Sequence, residues 1–130
     1  MANTFPVQLV SPEEMLWEGE AEMVVCRSTE GDIAFAAGHE PFLGALADHP
    51  VRILLEGNAE QAAAVHGGFV QMSGTSLVVL SDLAELKESI DKGRAEHAKR
   101  EAEEALAKNP DDEEAQAALA RAETRIAVAG

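Results

Sequence analysis

Apolar residues are spaced by two different rules along this chain. Up to residue 86 they come in short runs broken by turn residues every eight or so positions; beyond it they recur at helical spacing. Alternation at Met23 and Val25, and at Val51, Ile53 and Leu55, places every second side chain on one face, as half-buried strands require. The runs predict strands over Phe5–Val10, Glu13–Trp17, Ala21–Ser28, Gly31–Ala36, Val51–Glu56, Gln61–His66, Gly68–Ser73 and Ser76–Leu80. Turn chemistry separates them: Ser11-Pro12, Glu30-Gly31-Asp32, Glu56-Gly57-Asn58 and Ser73-Gly74 all favour chain reversal. Short strands joined in this way pack as two opposed sheets or close into a barrel, and a sandwich is the simpler expectation.

After residue 86 the stripe Ala98, Ala102, Ala105 and Leu106 predicts one helix, and Ala115, Ala118, Leu119, Ala122, Ile126 and Ala129 predict a second. Asn109-Pro110-Asp111-Asp112 divides them, because Pro110 disfavours a helical Asn109 and either aspartate caps the donors of a new helix. The stripes should face each other as an antiparallel hairpin. Alanine methyls contribute far less burial energy than the ~1.5–3 kcal/mol of a buried Leu or Ile, so the seam should be weak and able to detach. The fold class is therefore α+β, with a β-sandwich over residues 1–86 followed by a two-helix hairpin over residues 87–130.

Charge sharpens the division. The chain has 10 basic against 24 acidic residues in 130, a net charge of -14, yet residues 1–85 hold only Arg27 and Arg52 among their bases. A surface this acidic excludes nucleic acid and anionic lipid as default partners. Cys26 is the lone cysteine, which excludes a disulfide framework and a cysteine-rich zinc site. No run of eighteen apolar residues and no signal-peptide pattern occurs, so the expectation is a soluble chain without direct membrane insertion.

Several stretches carry a resemblance. Val10-Ser11-Pro12 precedes Trp17-Glu18-Gly19; then come Thr29-Glu30-Gly31-Asp32-Ile33, Gly38-His39-Glu40-Pro41-Phe42-Leu43, Val51-Arg52-Ile53, and His66-Gly67-Gly68-Phe69 ahead of Val78-Val79-Leu80. In order and spacing the chain resembles the epsilon subunit of bacterial F-type ATP synthases, called delta in mitochondria. The resemblance implies a ten-stranded sandwich and a helical hairpin in a non-catalytic subunit of the rotating central stalk. The implied partners are the gamma subunit, the c-ring and, through an extended hairpin, the catalytic alpha/beta hexamer. The implied location is the cytoplasmic face of the bacterial membrane, as a peripheral subunit. One departure is Ala34-Phe35-Ala36-Ala37, where the family has a Gly-Ile-Leu-Pro-like stretch in what is expected to be a loop facing the ring.

The resemblance also nominates residues. Glu30 and His39 match c-ring contacts on what should be adjoining loop tips; the plainer reading is that both are ordinary loop residues. Ile90-Asp91-Lys92-Gly93-Arg94-Ala95 matches the Ile/Leu-Asp-x-x-Arg-Ala signature associated with ATP binding in some epsilon subunits. That match implies that Arg94 grips phosphate, that Asp91 accepts from the adenine amino group or orders Arg94, and that Glu85, Arg121 and Arg125 belong to the same site. No cofactor is required, and ATP is the regulatory ligand implied. Against this stands the reading of Asp91 as a helix-start residue favoured by the macrodipole and of the arginines as solvated charges.

Other chemistries fail on spacing. His39, His49, His66 and His97 are too scattered for a metal motif, and neither a phosphate-cradling loop nor a nucleophile turn is present, so no enzyme is expected. Gly67-Gly68 reads as a bulge or a close backbone approach. The alternative to the stalk subunit is a free-standing sandwich module with a helical arm serving another complex.

Overall fold

The computed structural model describes residues 3–130. Among the described residues ten strands precede two α-helices: β1 (Phe5–Val10), β2 (Met15–Ala21), β3 (Met23–Ser28), β4 (Gly31–Ala36), β5 (Phe42–Ala45), β6 (His49–Leu54), β7 (Glu60–Val65), β8 (Phe69–Met72), β9 (Leu77–Leu80), β10 (Ala84–Leu86), α1 (Lys92–Lys108) and α2 (Glu113–Ala129). The strands form two five-stranded sheets, ordered β2-β1-β9-β8-β5 and β10-β7-β6-β3-β4. Pairing is antiparallel except between β1 and β9.

The period-2 pattern sets the core. Val7, Leu9, Val70, Met72, Leu77 and Val79 point inward from the first sheet and meet Val24, Cys26, Phe35, Val51, Ile53 and Val65 from the second, all buried. Gly68 allows two backbones to touch: at φ 111° its added Cβ would lie 2.2 Å from the Leu80 carbonyl oxygen, the close approach expected for this glycine.

Two strands depart from the periodicity reading. β5 is four residues long with Gly44 inside it, and β10 is three, too short for alternation to register. β2 also runs later than the expected Glu13–Trp17 and takes Ala21 from its neighbour. Glu18, Gly19 and Glu20 look like turn residues, yet here they form an edge strand with both acids exposed and the Trp17 ring lying over Gly19.

The hairpin forms as the pattern predicts, and Asp112 is the residue that caps α2, its Oδ1 accepting from the Ala115 N–H at 3.0 Å. Ala98, Ala102 and Ala105 of α1 and Ala115 and Ala118 of α2 line a surface groove of about 320 Å³ along the seam, where Ala102, Ala115 and Ala122 are themselves buried. α2 lies against β6 and β7 of the second sheet, the docked posture of the hairpin.

Candidate functional site

Where the hairpin meets the sandwich, the sheet supplies a small-residue patch. Ala62 and Ala64 sit on the outer face of β7, and Val128 of α2 and Ile90 of the linker close over them. A single turn of 3-10 helix, Lys87–Ser89, leads into α1, and the Gln61 amide donates to the Glu88 carboxylate at 3.1 Å. The contact is shallow: two methyl-bearing positions below, two aliphatic side chains above.

Beside this plug opens a cleft of about 400 Å³ lined by Glu85, Ser89, Asp91, Arg94, Ala95, Ala98 and Arg125. Five of the seven residues nominated from the sequence meet there. Ile90 is turned into the apolar plug instead, and Arg121, one turn before Arg125, does not line the cleft. Asp91 stands before α1 rather than on it: as N-cap, its Oδ1 accepts from the Arg94 backbone N–H at 3.0 Å. Its helix-start role is therefore real, and it fixes the base of Arg94 through the backbone.

One ion pair crosses the cleft. Arg125 Nε donates to Glu85 Oε1 at 2.6 Å, joining the last turns of α2 to β10, and both side chains are about a quarter exposed. The same oxygen lies 3.2 Å from His66 Nε2, whose side chain is 3% exposed. Burial lowers the His66 pKa below the usual imidazole value; the Glu85 hydrogen bond pulls it back up and the nearby Arg125 charge pushes it down. His66 Nδ1 is buried without a hydrogen-bond partner. The sequence reading missed this histidine because its partnership depends on β10, which carries no periodic signal.

The other nominated pair is not brought together. Glu30 lies in the turn before β4 and His39 in the turn after it, so they mark opposite ends of one edge strand rather than adjoining tips. The His39 ring packs edge-on against Phe35 at 4.9 Å, and its Nδ1 lies 2.7 Å from the Glu40 carbonyl oxygen. The stretch Ala34 to Ala37 is also no loop: its first three residues complete β4, and Phe35 is fully buried.

The outer face of the first sheet is open. Register aligns Ala45, Phe69, Leu80, Val10 and Met15 in one row across all five strands. Phe69 is 55% exposed, and Leu43 on the next row is 70% exposed. An apolar band of this kind on a chain of net charge -14 is a surface suited to a partner protein. No group of three or more His, Cys, Asp and Glu side chains converges for a metal, and no helix is long and apolar enough to cross a membrane, among the described residues.

Comparison with known proteins agrees with this architecture. The family profile described as "ATP synthase, Delta/Epsilon chain, beta-sandwich domain" matches residues 4–87, and "ATP synthase, Delta/Epsilon chain, long alpha-helix domain" matches residues 88–130. The ATP synthase epsilon chain of Streptomyces avermitilis is 44% identical over 107 residues, covering 82% of this chain and 84% of that one. That of Shouchella clausii is 41% identical over 127 residues, covering 97% and 95%. A chain in the mitochondrial ATP synthase structure of Euglena gracilis superposes with a TM-score of 0.84 at 22% identity, over 98% of this chain and 82% of that chain. A sandwich of this topology, a docked hairpin and matches running through both parts place the chain in the ATP synthase delta/epsilon family.

Proposed function

We propose that this chain is the non-catalytic rotor subunit of its ATP synthase, joining a gamma subunit to the c-ring, and that its hairpin responds to ATP. The observation that carries the reading is the unequal use of the sandwich's two outer faces. One is covered by the chain's own hairpin through a shallow patch; the other presents the apolar row of Phe69, Leu80 and Met15. A two-layer sandwich is stiff enough to pass torque, and the open row gives gamma a flat apolar seat. The exposed edges of β4 and β5 give the c-ring loops a separate surface, with Glu30 and His39 at the two ends of β4. The site of action is the cytoplasmic face of the membrane, reached through these partners.

For the hairpin, the cleft supplies the chemistry. Arg94 and Arg125 from different helices converge on one opening, where phosphate oxygens would bridge them and draw α1 and α2 onto the sandwich. ATP then stabilises the docked posture by mass action. With ATP absent, the hairpin is free to extend along gamma toward the alpha/beta hexamer and restrain hydrolysis. The primary test is copurification with the cognate gamma subunit and c-ring: a stable complex supports the stalk reading, and failure of the full chain to assemble with either refutes it. Calorimetric titration of ATP into the isolated chain, beside Arg94→Ala, tests the second part; a saturable heat lost in the variant is expected.

A further inference from the structure

Glu85 Oε1 is shared by a hairpin cation and a sandwich histidine: Arg125 Nε at 2.6 Å from one side and His66 Nε2 at 3.2 Å from the other. With Nε2 protonated and Nδ1 bare, the neutral ring donates to Glu85 and holds its carboxylate under Arg125. The ring is almost wholly enclosed, and its Nδ1 meets no donor or acceptor. A second proton would have to sit on that nitrogen, placing a charged N–H in a pocket without an acceptor, beside an existing guanidinium. The charged groups bearing on the ring are Glu85 from β10, Arg125 from α2 and Asp48 from the segment before β6.

We propose that His66 is the positioning residue of the Glu85–Arg125 latch, and that proton uptake by its imidazole releases the hairpin from the sandwich. This rests on the reading of the hairpin as a movable element. The geometry sets the sign. Departure of α2 removes the Arg125 charge and leaves Glu85 to His66 alone, so the undocked chain binds the proton more readily than the docked one. Burial and Arg125 hold the docked His66 below the ordinary value of 6.5, in the same sense. Docking is therefore fully supported while the imidazole is neutral in both states. It weakens as pH falls through the undocked value toward the docked one, and each unit separating the two pKa values reduces the docking constant tenfold once both are passed.

The test uses the full chain and its only tryptophan, Trp17. An acceptor dye on Ala117→Cys, an exposed site on α2, reports the hairpin's distance from the sandwich by energy transfer; Cys26 is buried and stays unlabelled. Lowering the pH from 7.5 to 5.5 is expected to reduce the docking constant, by up to about tenfold for an undocked imidazole at its ordinary value, and His66→Gln, which donates to Glu85 but does not titrate, is expected to abolish that dependence. A parallel proton NMR titration of the unlabelled chain should find His66 below the ordinary imidazole range, and nearer to it in Arg125→Met. Equal pH response in wild type and His66→Gln, or an ordinary His66 titration in the docked chain, overturns the proposal. An Arg125→Ala/Val128→Glu double variant separates the two readings. If it releases α2 while the wild type ignores pH, only the proton latch falls; if it leaves α2 docked, the movable hairpin falls with it.

Discussion

Ile90 and Val128 close over the same pair of alanines, Ala62 and Ala64, from opposite ends of the hairpin sequence. Ile90 enters from the linker before α1 and Val128 from the last turn of α2, so one small apolar plug secures both termini of the helical unit. Replacing Val128 by Asp sets a carboxylate against two methyl groups without a partner, a burial that costs several kcal/mol if the hairpin stays docked. Undocking avoids that cost. Limited proteolysis should therefore cut Val128→Asp within α1 and α2 while the sandwich core resists, and Ile90→Ala, losing a half-buried side chain, should weaken docking by about 1–2 kcal/mol.

Two glycines that share a positive φ but not their surroundings give a controlled comparison. Gly68 has φ 111° and would press a Cβ to within 2.2 Å of the Leu80 carbonyl; Gly57 has φ 72° and meets nothing within 4 Å. Gly68→Ala must move β8 away from β9 and should cost at least about 3 kcal/mol, a fall of more than about 10 °C in the melting temperature. Gly57→Ala carries only the left-handed backbone penalty, about 1 kcal/mol. Calorimetric melts of the two variants, ranked in the opposite order, would contradict this packing.

What was legible in the sequence follows from how strongly each element repeats. β4, six residues opening on Gly31, falls where its apolar run and turn chemistry place it, and the α1–α2 boundary falls at Asn109-Pro110 because turn chemistry marks it too. β5 and β10 were hidden because four and three residues do not establish a period, and β2 was placed too early because its edge position permits exposed acids in its second half. The cleft was half legible. A local motif located Asp91, Arg94 and Ala95, but the placement of Arg125 over Glu85, and of His66 beneath it, depends on how α2 lies across the sheet. Arg121 shows the limit: neighbouring arginines one helical turn apart look equivalent in sequence and are not equivalent in the fold.

Cys26 tests the core from inside. Its thiol lies 1% exposed between the sheets, and burial, with a smaller contribution from Asp32, pushes its pKa up to about 11. At pH 8 the thiolate fraction is therefore very small and the sulfur inaccessible. A chromogenic disulfide reagent should remain unreacted with the native chain over hours and titrate one thiol promptly in denaturant. Prompt reaction in buffer would place β3 outside the core.

The apolar row on the open sheet predicts a loss of assembly without a loss of fold. Phe69→Glu adds a charge at a position 55% exposed, where substitutions change stability by about 0.5 kcal/mol or less. The same charge in the centre of a gamma interface would be buried unpaired, and binding should weaken by at least about tenfold. Leu43→Glu, at the margin of the sheet on β5, should have a smaller effect. Pull-down with gamma beside thermal melts of both variants measures the two quantities independently.

Arg94 and Arg121 separate a formed cleft from a matched motif. Arg94 lines the opening, its backbone fixed by Asp91; Arg121 lies on α2 outside it. A charge-assisted contact to phosphate contributes about 1.5–3 kcal/mol, so Arg94→Ala should weaken ATP binding by roughly 10- to 150-fold. Arg125→Ala should do at least as much damage, because it also breaks the ion pair to Glu85 that holds α2 in place. Arg121→Ala should change affinity by less than about threefold, the screened effect of a charge outside the site. Equal losses at Arg94 and Arg121 would mean that nucleotide is held by the summed charge of the helices, and that the cleft between β10, α1 and α2 is not where it binds.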